Sequence, residues 1–291
     1  MDALVKRWKR AGLRFRYATD LDMKKKTTLG VGGRCEVALF PLDRIALGAM
    51  SNGGVPVFGA GSNVVVGDGG MGACAFTERM NGIYLAGRTL KAECGASISR
   101  IARVTAECGY SGFEQLSGIP GTVGGAIKMN AGCFGREIAD LITSVDIATK
   151  EGIRTFTCDE MGFSYKESKV KELGAVVSAT FRLTPCDPAC AKATIAELKA
   201  ERERRFPKGR SAGCYFKRVD GVSAGYFVEK AGLKGLKIGG AEVSATHGAF
   251  IVNTGGATAY DVTTLAEIVK EEVRRVTGVT LAEEVDLYGR F

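Results

Sequence analysis

Short apolar stretches with a two-residue period alternate along this chain with longer stretches on a helical period, and together they predict an α+β protein. Strands are expected at Val55-Pro56-Val57-Phe58, Val64-Val65-Val66, Leu90-Lys91-Ala92-Glu93, Ser144-Val145-Asp146-Ile147 and from Val176 to Leu183. In the last of these Val177, Ala179, Phe181 and Leu183 alternate onto one face, the pattern of a half-buried strand. Ser97 is placed to cap a helix whose Ile98, Ile101, Ala102, Thr105 and Cys108 line one side before Gly109 stops it. A longer helix opens at Asp261, carries Val262, Leu265, Ile268, Val269, Val273 and Val276 on one stripe, and closes at Gly278. Both stripes predict packing rather than chemistry. No internal repeat is visible.

Pro185-Cys186-Asp187-Pro188 sets two prolines between a strand and a charged helical run that reaches Phe206-Pro207. It predicts a boundary, with one domain over 1–185 (subdomains about 1–75 and 76–185) and a smaller α/β domain over 186–291. At 291 residues the chain is long enough for that division. The start lacks an apolar leader, and no segment approaches the roughly 18 apolar residues of a membrane span, so a cytoplasmic protein without membrane contact is expected.

The net charge of +8 is concentrated at the start, where residues 1–34 hold ten Lys or Arg against three Asp. Lys6, Arg7, Lys9, Arg10 and the Lys24-Lys25-Lys26 run lack interleaved aromatics and a reader motif, so a solvated basic face is expected over a nucleic-acid site. Nine cysteines at scattered spacings argue for a reducing compartment and for thiols used mostly as small core residues. With no Cys-x-x-Cys pair and His247 as the only histidine, a zinc site or a Ser-His-Asp triad has little to build on, and no metal is expected.

Glycine changes the picture. Forty are present, six of them between Gly59 and Gly72 and seven between Gly112 and Gly135. Gly59-Ala60-Gly61-Ser62-Asn63 and Gly118-Ile119-Pro120-Gly121-Thr122-Val123-Gly124-Gly125-Ala126 both suit a backbone that closes on an anionic ligand, main-chain N–H groups approaching phosphate oxygens where no Cβ intervenes. The first is not a dinucleotide fingerprint, because Val64 stands where the third glycine belongs and Val64-Val65-Val66 reads as a strand. No Gly-Lys-Ser or Gly-Lys-Thr follows either cluster, which removes the P-loop reading. Simple turns remain the alternative to a phosphate cradle.

Further strings are unusually specific in type: Thr28-Leu29-Gly30-Val31-Gly32-Gly33, Met129-Asn130-Ala131-Gly132, Phe163-Ser164-Tyr165-Lys166-Glu167-Ser168, Ser211-Ala212-Gly213-Cys214-Tyr215-Phe216-Lys217, Ala231-Gly232-Leu233-Lys234-Gly235, Gly239-Gly240-Ala241-Glu242-Val243-Ser244 and Leu281-Ala282-Glu283-Glu284-Val285. In this order the chain resembles the UDP-N-acetylenolpyruvoylglucosamine reductase (UDP-N-acetylmuramate dehydrogenase) family over nearly its whole length. The compact stretch between Phe250 and Asp261 is similar to the shorter, type II form. The resemblance implies a vanillyl-alcohol-oxidase-like (PCMH-type) FAD-binding domain over 1–185. It also implies a C-terminal substrate-binding domain over 186–291 whose last strand returns to the FAD domain.

The resemblance further implies that NADPH reduces FAD and that hydride then passes to C3 of UDP-N-acetylglucosamine-enolpyruvate while an enzyme acid protonates C2, a step in making peptidoglycan precursors. FAD contacts are implied at Gly59, Ala60, Gly61, Ser62 and Asn63, and at Gly118, Ile119, Pro120, Gly121, Thr122, Gly124, Gly125 and Ala126. Cys214 stands where the family's Ser-Ala-Gly-Ser string has its acid, and a thiol, with a reference pKa near about 8.5, is a far stronger acid than an alcohol. Glu284 matches the glutamate that holds or shares a proton, and Lys166 stands where an arginine is usual after Tyr165. Lysine keeps the charge but loses the planar, two-pronged donor. Tyr165 and Lys217 are implied substrate contacts; His247-Gly248-Ala249-Phe250 departs from the family's His-x-Asn-Phe, and His247 is expected to be a packed histidine. The rival readings are another FAD oxidase of this fold, a flavin- or nucleotide-sugar-binding protein disabled through Lys166, and structural roles for Cys214 and Lys166. The oligomeric state is left open.

Overall fold

The computed structural model describes residues 2–291, with side chains from residue 4 onward. Two compact units are present. The first gathers the chain up to Thr19 with 37–60 and 73–201; the second gathers 20–36, 61–72 and 202–291.

The first unit is built on an antiparallel sheet in the spatial order Gly152–Thr157, Ile142–Thr149, Ala175–Arg182, Thr89–Glu93, Ile83–Ala86. Its core joins Leu90, Val145, Ile147, Val177, Ala179 and Phe181 to the helix Ile98–Glu107. The Ala175–Arg182 strand differs from its half-buried reading: all five residues from Ala175 to Ala179 are buried, because the strand lies in the middle of the sheet and is covered on both faces. Ser178 is accommodated there by donating to Asp146 Oδ2 at 2.7 Å. Ser97 does cap the next helix, accepting from Arg100 N. Its stripe ends one position early, with Ile98, Ile101, Ala102 and Thr105 buried and Cys108 exposed as the C-cap. The expected strand at Val55 is confined to Val57–Phe58, which pairs in parallel with Met71–Phe76.

The second unit has its own core, in which Leu29, Val31 and Val65 join Ala212, Tyr215, Phe216, Val243 and Ile251 under the helix Ala259–Thr277. Its antiparallel sheet runs Arg210–Cys214, Phe250–Asn253, Ala241–Val243, Lys237–Ile238. The C-terminal strand Asp286–Tyr288 returns in parallel beside Val64–Val66. The long helix opens earlier than its apolar pattern suggested: Thr258 is the N-cap, and Asp261 sits three residues in, completing a capping box. Val276, expected in the stripe, is 43% exposed in the last turn.

Asp68 adds a second cap that no local pattern announces. Its two carboxylate oxygens accept from Ala259 N and Tyr260 N, each at 2.9 Å. Replacing Asp68 by Ala therefore leaves two first-turn donors to water and is expected to lower unfolding free energy by about 1 kcal/mol, read from the denaturant midpoint.

The cysteines are less internal than expected: Cys35, Cys74 and Cys94 are buried, while Cys108 and Cys190 are exposed and the rest half-buried. Among the described residues no group of three or more His, Cys, Asp or Glu is placed to hold a metal ion. No helix there is long and apolar enough to cross a membrane.

Candidate active site

In the first unit, Gly59 is pressed against Thr122: a Cβ on Gly59 would lie 2.1 Å from Thr122 Oγ1. The two glycine clusters thus meet at a contact that only a residue without a side chain permits. Thr122 also caps the short helix Val123–Lys128 by accepting from Gly125 N. The backbone donors here correct part of the expected cradle. Val123 N goes to Ala96 O at 2.9 Å, Gly124 N to Cys94 O at 2.8 Å and Ala126 N to Thr122 O at 2.8 Å. Gly124 is instead a packing glycine, its position for a Cβ lying 3.2 Å from Cys94 Cβ. The Cys94 thiol beneath is fully buried, and burial reinforced by Glu93 pushes its pKa up to about 12, so it is inert packing.

The turn carrying Tyr165 and Lys166 is closed by reciprocal bonds between Ser164 and Glu167, at 3.1 and 3.3 Å. Lys166 sits at φ 58°, a conformation that costs a side-chain-bearing residue about 1 kcal/mol and persists only where the surroundings impose it. Asn130 supplies that constraint. Only 2% exposed, its Nδ2 donates to Ser164 O at 3.0 Å and to Glu137 Oε2 at 2.6 Å. Ser168 Oγ adds a bond to Lys128 O at 3.1 Å. The Met129-Asn130-Ala131-Gly132 string carries the family resemblance, but no local pattern in it announces that Asn130 holds the Tyr165-Lys166 turn.

In the second unit, Gly61 adopts φ +64°, and a Cβ there would lie 2.0 Å from the Lys26 carbonyl oxygen. Asn63 Nδ2 donates to Glu284 O at 3.0 Å, and Asp286 N donates to Asn63 O at 3.0 Å, so the end of this glycine cluster grips the segment that carries Glu284. That segment runs beside residues 214–217: Glu284 N donates to Tyr215 O at 2.7 Å, Lys217 N to Ala282 O at 2.8 Å, and Phe216 bridges Glu283. Glu284, 9% exposed, is therefore held next to the half-buried Cys214. Cys214 ends its strand opposite Phe250 after a register shift, with Gly213 at φ +81° inside the shifted stretch. Cys214, Glu284, Lys217 and Asn63 thus come together in the second unit, and Tyr165 with Lys166 in the first.

His247 is a packed histidine: its Nδ1 accepts from Ala249 N at 3.3 Å and its ring lies 5.8 Å from Phe206 and 5.0 Å from Phe250. Burial lowers its pKa, which keeps the imidazole neutral at neutral pH. Tyr215 is 1% exposed and its hydroxyl finds no hydrogen-bond partner among the described residues; burial, then the charges of Glu283 and Glu267, raise its pKa. Since the hydroxyl gives up water for no bond, Tyr215→Phe is expected to leave stability unchanged or raise it by up to about 1 kcal/mol in denaturant unfolding.

The class of protein follows from comparison with known families. An FAD binding domain matches residues 46–157, and a UDP-N-acetylenolpyruvoylglucosamine reductase C-terminal domain matches residues 205–288. The fold is thus an FAD-binding domain of the PCMH type joined to that C-terminal domain. Curated UDP-N-acetylenolpyruvoylglucosamine reductases of Streptococcus pneumoniae are 38% (strain JJA) and 39% (strain CGSP14) identical over 269 residues, covering 89% of this chain and 89% of each relative. The solved UDP-N-acetylenolpyruvylglucosamine reductase of Thermus caldophilus superposes with a TM-score of 0.82 at 33% identity, over 95% of this chain and 99% of that one. The chain belongs to the UDP-N-acetylenolpyruvoylglucosamine reductase family.

Proposed function

We propose that the protein reduces UDP-N-acetylglucosamine-enolpyruvate to UDP-N-acetylmuramate with NADPH and bound FAD, as a cytoplasmic step in peptidoglycan precursor synthesis. The observation that carries this reading is that the segment with the half-buried Cys214 runs beside the segment with the buried Glu284, stitched by the main-chain bond from Glu284 N to Tyr215 O of 2.7 Å. FAD suits the residues present. Gly59 in the first unit and Gly61 in the second each lack room for a Cβ; the FAD contacts proposed are Gly59, Ala60, Gly118, Ile119, Pro120, Gly121 and Thr122 of the first unit and Gly61, Ser62 and Asn63 of the second. Gly124, Gly125 and Ala126 then support from behind. The family matches at 46–157 and 205–288 favour flavin binding by the 1–185 portion and substrate binding by the 186–291 portion.

FAD, when bound, supplies the relay of a hydride from NADPH to C3 of the enolpyruvyl ether. The chain's own residues govern the other half of the addition. Tyr165 and Lys217 are the proposed substrate contacts, and the positive charge of Lys166 would offset the negative charge that grows on the substrate carboxylate as C3 gains hydride. Cys214 delivers its thiol proton to C2, and the thiolate recovers a proton from solvent. Glu284 holds or shares a proton with the substrate carboxylate as it gains enolic character.

Mass analysis of the product tests this function. One equivalent of NADPH should yield one equivalent of a product two hydrogens heavier than the enolpyruvyl substrate. NADPH consumption with oxygen uptake and unchanged substrate would instead show an oxidase of the same fold.

A further inference from the structure

We propose that Thr28 is a positioning residue that fixes where the Cys214 thiol stands relative to the Gly61 end of the glycine loop, an inference that rests on the acid role given to Cys214 above. Thr28 bonds two segments. Its main-chain N–H donates to Gly61 O at 3.0 Å, and its hydroxyl donates to Ser211 O at 2.7 Å, across 183 residues of sequence. The same hydroxyl lies 3.5 Å from Gly61 O, so its shorter bond is the one to Ser211.

Ser211 is where the geometry of Cys214 is decided. In the ladder between Arg210–Cys214 and Phe250–Asn253, Ser211 faces Val252 and Cys214 faces Phe250, so one strand spends an extra residue between the two pairs. Such a bulge re-aims the side chain that follows it, and an unanchored bulge is free to slip. Thr28 Oγ1 grips the carbonyl at its near edge. The gripping segment is itself immobilised: Asn253 Nδ2 donates to Leu29 O at 3.0 Å, Arg210 Nη2 donates to Lys24 O at 3.0 Å, and Thr27 Oγ1 donates to Val31 O at 3.0 Å. A side chain at Gly30 would collide with the Arg210 guanidinium, which shows how closely this segment and the strand are packed.

Thr28→Val keeps the main-chain N–H bond to Gly61 O and removes the hydroxyl's bonds, the one of 2.7 Å to Ser211 O and the longer one of 3.5 Å to Gly61 O. The experiment uses the flavin-loaded full chain and compares wild type, Thr28→Val and Thr28→Ser, with Thr28→Ala in place of the valine variant should that not fold. Two readouts are taken: alkylation of Cys214 by iodoacetamide, followed on its peptide by mass spectrometry across pH, and the two half-reactions in rapid mixing. The alkylation rate should change several-fold in Thr28→Val. Oxidation of the reduced protein by the enolpyruvyl substrate should slow about tenfold, the scale of one lost hydrogen bond, with reduction by NADPH within about twofold of wild type. Thr28→Ser should restore both. Unchanged Cys214 alkylation, equal slowing of both half-reactions, or failure of serine to rescue would each overturn the proposal. If wild type does not turn over the substrate, the function assigned above fails, and the alkylation comparison still decides whether Thr28 places the thiol.

Discussion

Cys214→Ala is expected to lower substrate-dependent NADPH oxidation by about 10²–10⁴-fold, the span typical of losing a positioned proton donor. Reduction of the flavin by NADPH should stay near the wild-type rate, because Cys214 is assigned only to the proton that reaches C2. Cys214→Ser separates acidity from position: it restores an O–H donor of similar size but much weaker acidity. Its rate should fall between the other two. An alanine variant as active as wild type would remove Cys214 from the mechanism and return it to the status of a half-buried structural thiol.

Gly61→Ala should weaken flavin binding. Two penalties coincide at Gly61, a left-handed φ of +64° and a Cβ 2.0 Å from the Lys26 carbonyl oxygen. The first alone costs about 1 kcal/mol. The second meets backbone, which moves only if the 26–28 segment and the Thr28 to Gly61 bond move with it. Gly54 provides the control, since its φ of +77° imposes the same strain with nothing within 4 Å of an added Cβ. The expected result is a flavin dissociation constant raised at least about tenfold for Gly61→Ala, from visible absorbance after gel filtration, and raised less than about twofold for Gly54→Ala. Equal flavin retention in the two variants would show that the tight approach at Gly61 plays no part in holding the cofactor.

What the sequence revealed of the fold was set by local physics. Ser97 and Gly278 bound their helices as helix-capping chemistry predicts, and the Val64-Val65-Val66 strand formed where the failed dinucleotide fingerprint pointed. The strings around Cys214 and Glu284 were also readable, and the structure places them side by side. Non-local effects were not legible. Burial of both faces of Ala175–Arg182 depends on elements packed over the sheet, which the strand's own alternation does not encode. The Asp68 cap spans 191 residues and the Thr28 bond 183, so neither leaves a pattern within any window. Nor could composition say which glycine N–H groups the protein keeps for itself, and Gly124 proved to be a packing glycine over Cys94. The cysteine count misled in a related way, since compartment and burial are separate questions and most of these thiols lie outside the core.

The central claim is that electrons from NADPH pass through bound flavin to the enolpyruvyl ether. The most direct measurement is to reduce the yellow protein anaerobically with one equivalent of NADPH and then mix it with UDP-N-acetylglucosamine-enolpyruvate, following the visible flavin band. Full recovery of the oxidised spectrum is expected, with one equivalent of UDP-N-acetylmuramate formed. A spectrum that stays bleached with this substrate and recovers only when oxygen is admitted would contradict it.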